Sequence, residues 1–366
     1  MKKILFYINT LGRGGAERVI SNLAGALAAD GFKSVLVTSY PTENEYKVCG
    51  SVRRVTLFDR APKGKIIKNI KMIKALKNVV KEERPDIAVA FTPEPNFRLI
   101  CACRGANTKV FVSVRNDPAR EYKNRLYAFL AKTLYKRADG VIFQTEDAKA
   151  WFPKAIREKS KVILNQVGDI FFETPLADVR KNVVSVGRFV PQKDHELLIC
   201  AFKSIADKIS DDLIFYGDGP LRGKYEETIG ELDLNGRANL AGKTENVAEK
   251  LSKAKLFVLS SDYEGMPNAL LEAMAMGLPC VSTDCPCGGP KAIIEDGKDG
   301  LLVPVGDEKA LADAMEKVLL NEEFASALGK NAREKAKRLF APDVIFNEWK
   351  SFLFGDEKPE ESGDKR

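Results

Sequence analysis

Short runs of apolar residues alternate with helical patterns along the chain, and the alternation occurs twice. In the first half, the runs KKILFYINTL, DIAVAF and KVFVSV are separated by helical patterns, including one over residues 65 to 83. In the second half the alternation restarts with VVSVGRF and continues through DLIFYGDG and KLFVLSS. Strands that are apolar on both faces, with helices between them, indicate parallel sheets covered on both sides. The sequence therefore predicts an α/β protein with two parallel sheets.

The length of the chain agrees with two domains. A chain of 366 residues is long for one ordinary α/β domain and comfortable for two Rossmann-like domains, each with its own core. We expect an N-terminal domain at 1–170 and a C-terminal domain at 171–340, with the boundary within 168–182. Residues 341–354 are predicted to form a helix that can pack back on the N-terminal domain, and 355–366 a disordered tail. Ligands of this architecture bind in a cleft at the carboxyl ends of the strands.

Cysteine and histidine usage argues against a metal site. The seven cysteines include no CxxC pair, and His195 is the single histidine. We expect His195 to be structural and Cys285 and Cys287 to lie in a loop near the ligand pocket. No apolar run reaches 18 residues, and the N-terminal run is too short for a signal peptide. These features predict a reduced, cytoplasmic protein.

The segment EGMPNALLE carries the strongest chemical signal. Glu264 precedes a helix predicted to begin near Pro267 and to end at Gly277, and Glu272 lies about one turn inside it. Amides in the first turn of a helix point toward the positive end of its dipole, which suits a diphosphate. An ionised carboxylate accepts hydrogen bonds from two adjacent hydroxyls, so one glutamate suits a sugar ring and the other a ribose. The predicted phosphate-binding amides are those of Asn268, Ala269 and Leu270.

Each glutamate alone also has an ordinary explanation. Acidic residues are common at helix N-termini, which accounts for Glu264, and Glu272 would then be an exposed helix residue. The combination with other segments favours the functional interpretation. VGRFVPQKDH carries Arg188 and Lys193, GDGP occupies 217–220, and the glycine-rich turn LGRGG follows the first strand.

With these segments, the chain resembles the family 4 retaining glycosyltransferases, whose signature is Glu, seven residues, Glu. Within the family it resembles bacterial capsule, exopolysaccharide and lipid-linked oligosaccharide glycosyltransferases. The resemblance implies the GT-B fold and a nucleotide-sugar donor, with UDP expected as the nucleotide. It implies catalytic roles for Glu264, Arg188 and Lys193, and donor binding by Glu272 and the amides named above. Further donor contacts are expected from Gly217, Gly219, Gly265 and Met266, and cleft-lining positions from Gly14 and Gly15.

The two cations also make chemical sense without the resemblance. Cleavage of the bond to a nucleoside diphosphate leaves negative charge on the departing phosphate. Arg188 and Lys193 placed there would stabilise the transition state more than the ground state. No Asp-x-Asp pair suited to Mg²⁺ or Mn²⁺ follows a strand. We therefore expect a transferase without a metal or other cofactor.

One segment departs from the family pattern. Many relatives carry a histidine in the N-terminal domain after a strand such as KVFVSV, where this chain reads SVRND. Arg115, Asn116 and Asp117 are the candidates for contacting the acceptor or the donor sugar at that place.

Charge is divided unequally between the two halves. Residues 1–170 contain 32 Lys and Arg against 16 Asp and Glu, whereas residues 171–366 contain 26 against 35. The helix at 65–83 is predicted to place Ile66, Ile67, Ile70, Ile73, Leu76 and Val80 on one core-facing stripe. Around that stripe lie four lysines expected to face a membrane: Lys65, Lys68, Lys71 and Lys74. A second basic helix is predicted over 120–137.

Clustered lysines and arginines are attracted to anionic lipid. We therefore expect peripheral contact with the cytoplasmic face of the cell membrane and a polyprenyl-diphosphate-linked glycan as acceptor. The alternative is a GT-B sugar-phosphate synthase or sugar-nucleotide epimerase with a soluble substrate. A nucleic-acid partner is not expected, because the basic half contains no recognisable binding module.

Overall fold

The computed structural model describes residues 1–12 and 14–355, without the side chain of Lys65. Within these residues the chain divides into two compact units. The first unit contains 1–163 and the end of the last helix from Phe346, and the second contains 164–345. The predicted tail, apart from Gly355, lies outside the described residues.

The first unit is built on a parallel seven-stranded sheet with strand order β3-β2-β1-β4-β5-β6-β7 in its described part. The strands are β1 (Lys3–Ile8), β2 (Lys33–Thr38), β3 (Arg53–Thr56), β4 (Ile87–Phe91), β5 (Lys109–Ser113), β6 (Gly140–Phe143) and β7 (Ser160–Val162). The helices are α1 (Gly15–Ala29), α2 (Lys65–Glu83), α3 (Pro93–Ala102), α4 (Pro118–Glu121), α5 (Arg125–Leu134), α6 (Glu146–Ala150) and α7 (Lys154–Arg157). A 3₁₀ turn at Tyr135–Arg137 follows α5.

The second unit is built on a parallel six-stranded sheet with order β10-β9-β8-β11-β12-β13 in its described part. The strands are β8 (Val183–Val186), β9 (Leu213–Tyr216), β10 (Ala238–Gly242), β11 (Leu256–Leu259), β12 (Cys280–Thr283) and β13 (Leu301–Val303). The helices are α8 (Asp169–Glu173), α9 (His195–Lys203), α10 (Arg222–Glu231), α11 (Val247–Ser252), α12 (Asn268–Met276), α13 (Gly289–Ile293), α14 (Glu308–Leu320) and α15 (Glu322–Leu339). Helix α16 (Pro342–Phe354) follows, and 3₁₀ turns lie at Pro191–Lys193 and Ala206–Lys208.

The central strands of the first sheet are buried on both faces, as their composition predicts. In β1 every residue from Ile4 to Ile8 is buried, and β4 is buried throughout. Such continuous apolar strands require helices on both sides of the sheet, because no face remains for water. The prediction of an α/β protein with two parallel sheets is confirmed.

The two units divide between Ile163 and Leu164, earlier than the boundary expected within 168–182. The predicted strand KVILNQV is shorter than expected, since only Ser160–Val162 pairs with β6. Val167 and Phe171 pack in the core of the second unit. Phe171 belongs to the short helix α8, which was not predicted because the sequence there has little periodicity.

Helix α16 packs its last turns on the first unit. The ring of Trp349 stacks on Phe91 with centroids 5.6 Å apart, and Phe354 stacks on Phe32 at 4.4 Å. Trp349 is buried. Aromatic side chains bury large apolar areas, so these contacts hold the end of the chain against the first sheet.

Two helical predictions in the first unit differ from the structure. The helix predicted over 120–137 is interrupted after α4, and Asn124 caps a new helix by accepting a hydrogen bond from the Leu126 amide. Helix α3 was not predicted, because its two early prolines resemble a loop. Pro93 occupies the first helical position, where no amide donor is needed.

Helix α2 spans the predicted residues, but its core face is different. Met72, Leu76 and Val80 are buried, whereas Ile66, Ile67 and Ile70 are exposed. The prediction that these three isoleucines face the core is wrong. The buried face is that of Met72, Leu76 and Val80; at about 100° per residue, Ile67 and Ile70 lie roughly 180° and 120° around the axis from Leu76.

The lysines of α2 differ in how far they are exposed to solvent. Lys71 and Lys74 are exposed, while Lys68 is partly buried with its ammonium 5.2 Å from the centre of the Tyr40 ring. The side chain of Lys65 lies outside the described part. None of the helices in the described residues is both long and apolar enough to cross a membrane.

Candidate active site

Four loops meet at the carboxyl edge of the second sheet, following β8, β9, β11 and β12. Carboxyl ends of parallel strands lie at one edge, so residues distant in sequence come together there. The loop after β8 carries Lys193, and the loop after β11 carries Glu264. Both were predicted as catalytic residues, and the structure brings them into direct contact.

Lys193 and Glu264 form a largely buried ion pair. The Lys193 Nζ donates to Glu264 Oε1 over 2.5 Å, and the Ser261 hydroxyl donates to the same oxygen over 2.8 Å. Gln192 Nε2 donates a longer bond of 3.4 Å to Oε2. Charged hydrogen bonds in a poorly solvated site are strong and fix geometry. Oε1 is therefore engaged by the protein, and Oε2 is the more available oxygen.

Further hydrogen bonds tie the loop after β8 to the loop after β11. Gln192 Nε2 donates to the Tyr263 carbonyl over 2.9 Å, and the Asp262 amide donates to the Gln192 carbonyl over 2.9 Å. The Ser260 hydroxyl donates to the Lys193 carbonyl over 3.1 Å. Because both sides of the ion pair are anchored through backbone groups, its geometry does not depend on two flexible side chains alone.

Glycines at this edge allow the loops to approach one another. A Cβ on Gly217 would lie 1.7 Å from the Gly187 carbonyl oxygen, and one on Gly219 would lie 2.5 Å from that of Phe189. A Cβ on Gly289 would lie 2.0 Å from the Gly265 carbonyl oxygen. These distances are shorter than any side chain tolerates. The predicted donor glycines Gly217 and Gly219 thus have a packing role, and Gly265 lies where a second loop packs.

Helix α12 begins one residue after Pro267 and ends at Gly277, which adopts the left-handed conformation with φ 82°. The amides of Asn268 and Ala269 have no partner among residues 1–12 and 14–355. The prediction of a free Leu270 amide is wrong, because it donates to the Pro267 carbonyl over 3.1 Å. The first turn tightens in this way at many helix ends. Two amides therefore remain for an anion.

Other residues near α12 differ from expectation. Glu272 is buried, so the interpretation as an exposed helix residue is wrong. The Met266 side chain packs in the hydrophobic core, which leaves its backbone for any ligand contact. Asn165 was not predicted: its Nδ2 donates to Asn268 Oδ1 over 2.7 Å. Its only sequence signal is a polar residue directly after an apolar run.

Arg188 lies in the loop after β8 with an exposed side chain. In the described part of the chain, no ion pair joins it to Glu264. The structure therefore does not bring the second predicted cation into the Lys193–Glu264 contact.

His195 lies behind this site in an aromatic environment. It is buried, with ring centroids of Phe189 and Phe215 at 5.4 and 5.0 Å. Burial, assisted by the charge of Lys193, lowers the pKa of His195 to about 3. The imidazole is neutral near pH 7, which agrees with the structural role expected for it.

The two cysteines of the CPC segment are buried, whereas Pro286 between them is exposed. Burial, assisted by the charge of Glu264, raises the pKa of the Cys285 thiol to about 12. A thiol with a raised pKa is a poor nucleophile and a poor metal ligand at neutral pH. Residues 1–12 and 14–355 contain no group of three His, Cys, Asp or Glu side chains arranged to hold a metal ion.

The carboxyl edge of the first sheet holds the predicted SVRND residues after β5. Asp117 is buried and caps α4, accepting a hydrogen bond from the Ala119 amide over 2.9 Å. The Arg115 guanidinium lies 4.7 Å from the centre of the Phe91 ring, and burial lowers its pKa to about 9. Asn116 Oδ1 is buried and has no partner within the described residues.

A further carboxyl group at this edge was not predicted. Glu121 has a buried Oε2 that lacks a partner in the part of the chain described. Burial, followed by the charges of Glu94 and Asp117, raises its pKa to about 8. Sequence offered no signal for this group, because Glu94 lies in the first turn of α3 and is distant in sequence from Asp117 and Glu121 of α4.

The glycine turn after β1 leads directly into α1. Gly14 is the N-cap and Gly15 the first helical residue, and the Gly14 amide donates to the Gly12 carbonyl over 2.7 Å. A Cβ on Gly14 would lie 2.2 Å from Glu17 Oε2. A tight turn thus explains Gly14 locally, and its cleft-lining role stays a prediction.

Comparison with known proteins decides the family. The model described as Glycosyltransferase Family 4 matches residues 13–167, and the one described as Glycosyl transferases group 1 matches 167–335. An α-1,4-N-acetyl-D-galactosaminyltransferase of Campylobacter jejuni, named for a PP-undecaprenol-linked substrate, is 30% identical over 361 residues. The match covers 95% of this chain and 97% of that protein. The chain belongs to the family 4 glycosyltransferases.

Other relatives of this glycosyltransferase agree. An uncharacterised glycosyltransferase of Methanocaldococcus jannaschii is 29% identical over 359 residues, covering 82% of this chain and 88% of the relative. Sucrose-phosphate synthase of Thermosynechococcus elongatus shares the fold with a TM-score of 0.84 at 21% identity, over 96% of this chain and 98% of that one. Anabaena HepE in complex with UDP gives 0.80 at 19%, over 96% and 99%. The predicted family and GT-B fold are confirmed.

Proposed function

We propose that this glycosyltransferase moves a hexose or N-acetylhexosamine from a UDP-sugar to a growing polyprenyl-diphosphate-linked glycan with retention of configuration. The observation that carries the proposal is the buried contact of Lys193 with Glu264 beside the start of α12. Two Campylobacter jejuni relatives are named for undecaprenol-linked substrates, and the HepE structure contains UDP. These names support the substrate class and the nucleotide.

The donor would bind at the carboxyl edge of the second sheet. The diphosphate would accept hydrogen bonds from the Asn268 and Ala269 amides, at the positive end of the α12 dipole. Glu264 Oε2 would accept from sugar hydroxyls, since Oε1 is engaged by Lys193 and Ser261. Glu272 would accept from the ribose.

Catalysis would come from charge placed at the departing phosphate. As the bond between the anomeric carbon and the phosphate oxygen breaks, negative charge grows on the UDP. Lys193 lies in the loop beside Glu264, and Arg188 is exposed and free to move toward the diphosphate. Cations in a poorly solvated site stabilise this charge in the transition state, so no metal ion or cofactor would be required.

Retention would follow from attack on the face that the phosphate leaves. The acceptor oxygen forms a bond to the anomeric carbon as the bond to the phosphate breaks, and the acceptor proton passes to the departing phosphate oxygen. This route needs no protein base, which agrees with the absence of a histidine from SVRND and with the neutral His195. Arg115, Asn116 and Asp117 would position the acceptor.

The acceptor lipid would place the enzyme at the cytoplasmic face of the membrane, where surface polysaccharides, including capsule or exopolysaccharide, are assembled. The basic first half and the exposed Lys71 and Lys74 support peripheral contact with anionic lipid.

The test is transfer from a panel of UDP- and GDP-sugars to lipid-linked and soluble acceptors, with the product anomer read by NMR. We expect an α-linked product from an α-linked UDP-sugar, a lipid-linked acceptor and unchanged activity after chelation. An inverted anomer contradicts retention, and loss of activity with chelator contradicts metal independence. Turnover restricted to soluble sugar phosphates favours the synthase alternative.

A further inference from the structure

Helix α12 differs from three other helices of the second unit in how its first turn is satisfied. Asp194, Asp307 and Asn321 cap α9, α14 and α15, and each accepts a hydrogen bond from an amide of the first turn. The N-cap of α12 is Pro267, and in the described part of the chain no side chain caps this helix. Its first two amides have no partner there either. Helix α12 thus lacks the stabilisation that a capping side chain gives.

Asn268, the first residue of α12, carries the only side chain in the first turn that could accept such a bond, since alanine and two leucines follow it. Asparagine side chains readily accept hydrogen bonds from their own or neighbouring backbone amides, and they are common at helix starts for this reason. An amide bonded to the Asn268 oxygen would no longer be available to a diphosphate. The Asn268 side chain is therefore a potential competitor of the donor at this helix start.

The orientation of the Asn268 side chain is set by Asn165. The Asn165 Nδ2 donates to Asn268 Oδ1 over 2.7 Å and makes a longer bond of 3.4 Å to the Met266 carbonyl. Because a carbonyl oxygen only accepts, the nitrogen of the Asn165 amide is the atom that faces this group. The Asn268 atom in contact with that nitrogen is then the oxygen, as the hydrogen-bond network requires. Asn165 therefore engages the one oxygen that could cap the helix.

Asn165 is held firmly enough to fix this bond. Its side chain is buried, and two residues later the Val167 amide donates to the Phe340 carbonyl over 2.9 Å. The Val167 side chain packs in the core of the second unit. A hydrogen bond between poorly solvated groups meets little competition from water, so it persists. Asn165 precedes Asn268 by 103 residues, and the contact is therefore a product of the fold.

We propose that Asn165 is a positioning residue of the donor site, which holds Asn268 Oδ1 and so keeps the amides of Asn268 and Ala269 unpaired until the donor diphosphate binds. This role rests on the proposed function, in which those two amides donate to the diphosphate. Asn165 acts through Asn268, without a contact of its own to the reacting atoms. Amides that are not capped exchange bonds to water for bonds to a charged phosphate, which are stronger.

A purely structural role for Asn165 would act through its other bond, to the Met266 carbonyl. That bond joins the segment after β7 to the loop before α12, and its loss could disturb the loop whatever side chain occupies position 268. At 3.4 Å it is longer than an ordinary N–H···O bond, which makes it the weaker of the two. The two roles differ in one respect: only the positioning role depends on the Asn268 side chain.

The experiment is a double-mutant cycle with Asn165→Ala and Asn268→Ala, in which the dissociation constants of UDP and of uridine are measured for the full chain. Asn165→Ala releases the Asn268 oxygen to cap α12, so UDP should bind about fivefold to tenfold more weakly. Uridine has no phosphate, and its affinity should change by less than about twofold. In the Asn268→Ala background no side-chain oxygen can compete, and Asn165→Ala should then weaken UDP binding by less than about twofold.

The matched control is Asn331→Ala, which removes an asparagine bond of 2.8 Å to the Lys298 carbonyl elsewhere in the second unit. This control should bind UDP as wild type does. If Asn165→Ala does not fold, Asn165→Ser takes its place in the cycle, because it keeps a polar group at the buried position on a side chain one bond shorter.

Three results would overturn the positioning role: wild-type UDP affinity in the Asn165 variant, equal losses in both backgrounds, or equal losses for UDP and uridine. Failure of wild type to bind any nucleoside diphosphate would remove the proposed donor site and this role together. Binding of GDP in place of UDP would contradict only the proposed nucleotide, and the same cycle with GDP then decides the role of Asn165.

Discussion

At the carboxyl edge of the second sheet, Glu264 accepts hydrogen bonds from Lys193, Ser261 and Gln192. At the carboxyl edge of the first sheet, Asn116 Oδ1 and Glu121 Oε2 are buried without a partner in the described residues. A buried polar atom without a hydrogen bond costs about 1–3 kcal/mol, so such atoms are usually satisfied by a ligand or water. The polar groups of the second edge are paired with one another, whereas the first edge keeps buried polar atoms that lack a partner in the described residues.

The same contrast appears in the loops. In the second unit, glycines bring loop backbones into contact, and side chains bond across them. In the first unit, Asp117 caps its own helix, and the anionic form of Glu121 is destabilised by burial and then by the charges of Glu94 and Asp117. Under the proposed function, the donor site would be preformed and the acceptor site would be completed by its ligand.

Among the substitutions that test this difference between the two sheet edges, Gly217→Ala is expected to have the largest effect. The new Cβ would collide with the Gly187 carbonyl, which belongs to the backbone and has no rotamer to change. We expect the second unit to lose about 3 kcal/mol of unfolding free energy and UDP-sugar binding to weaken. Thermal denaturation with and without UDP measures both. Gly223→Ala, where nothing lies within 4 Å, is the control and should be neutral or slightly stabilising; equal stability of the two variants would contradict the packing role.

A smaller effect is expected from pH at the first edge. Because the pKa of Glu121 is raised from 4.5 to about 8, the folded chain keeps a proton that the unfolded chain releases. The stabilising contribution is complete below about pH 4.5 and is lost as pH rises to about 8, at no more than about 1.4 kcal/mol per pH unit. The Glu121→Gln variant cannot ionise at this position. Its free energy of unfolding, measured by denaturant titration, should therefore lack this decrease between pH 5 and pH 8. The same pH dependence in both proteins would show that Glu121 is not the group responsible.

The smallest effect is expected from His195→Leu. A neutral, buried histidine transfers no proton near pH 7, so kcat should change by less than about threefold, not by the 10²–10⁴-fold typical of a lost general base. The free energy of unfolding should change with pH in the opposite direction to the change expected from Glu121. The unfolded chain protonates His195 below about 6.5, so wild type loses stability as pH falls toward 3 and the variant does not. A large fall in kcat with unchanged melting would give His195 a catalytic role.

Much of the second edge could be predicted from sequence, because several of its residues lie close together along the chain. Nine consecutive residues contain both glutamates and the start of α12, and helix signals fixed its ends to within one residue. The contact of Lys193 with Glu264 joins loops far apart in sequence, and only the family resemblance connected them. The hydrogen bonds of Ser261 and Gln192 have no sequence signal, and Asn165 has only its position directly after an apolar run.

The first edge was less predictable, for physical reasons. The prolines of α3 obscured a helix, and the break before Asn124 divided another. The isoleucines of α2 were assigned to the core because burial is the usual state of that residue, and only tertiary packing shows them exposed. Glu121 gains its neighbour Glu94 from the topology of the sheet, which short-range patterns do not contain.

The central claim, that the Lys193–Glu264 pair forms the donor site, is tested most directly by Glu264→Gln. The comparison variant is Glu316→Gln, whose carboxylate pairs with Lys208 over 2.7 Å at the surface. Because removing one buried partner leaves an unpaired charge, a second variant combining Glu264→Gln with Lys193→Met separates instability from lost chemistry. The measurement is kcat/KM for UDP-sugar transfer by proteins with wild-type melting behaviour. The account predicts a loss of about 10²-fold or more for both Glu264 variants and no loss for Glu316→Gln; a folded Glu264→Gln protein with wild-type kcat/KM would contradict it.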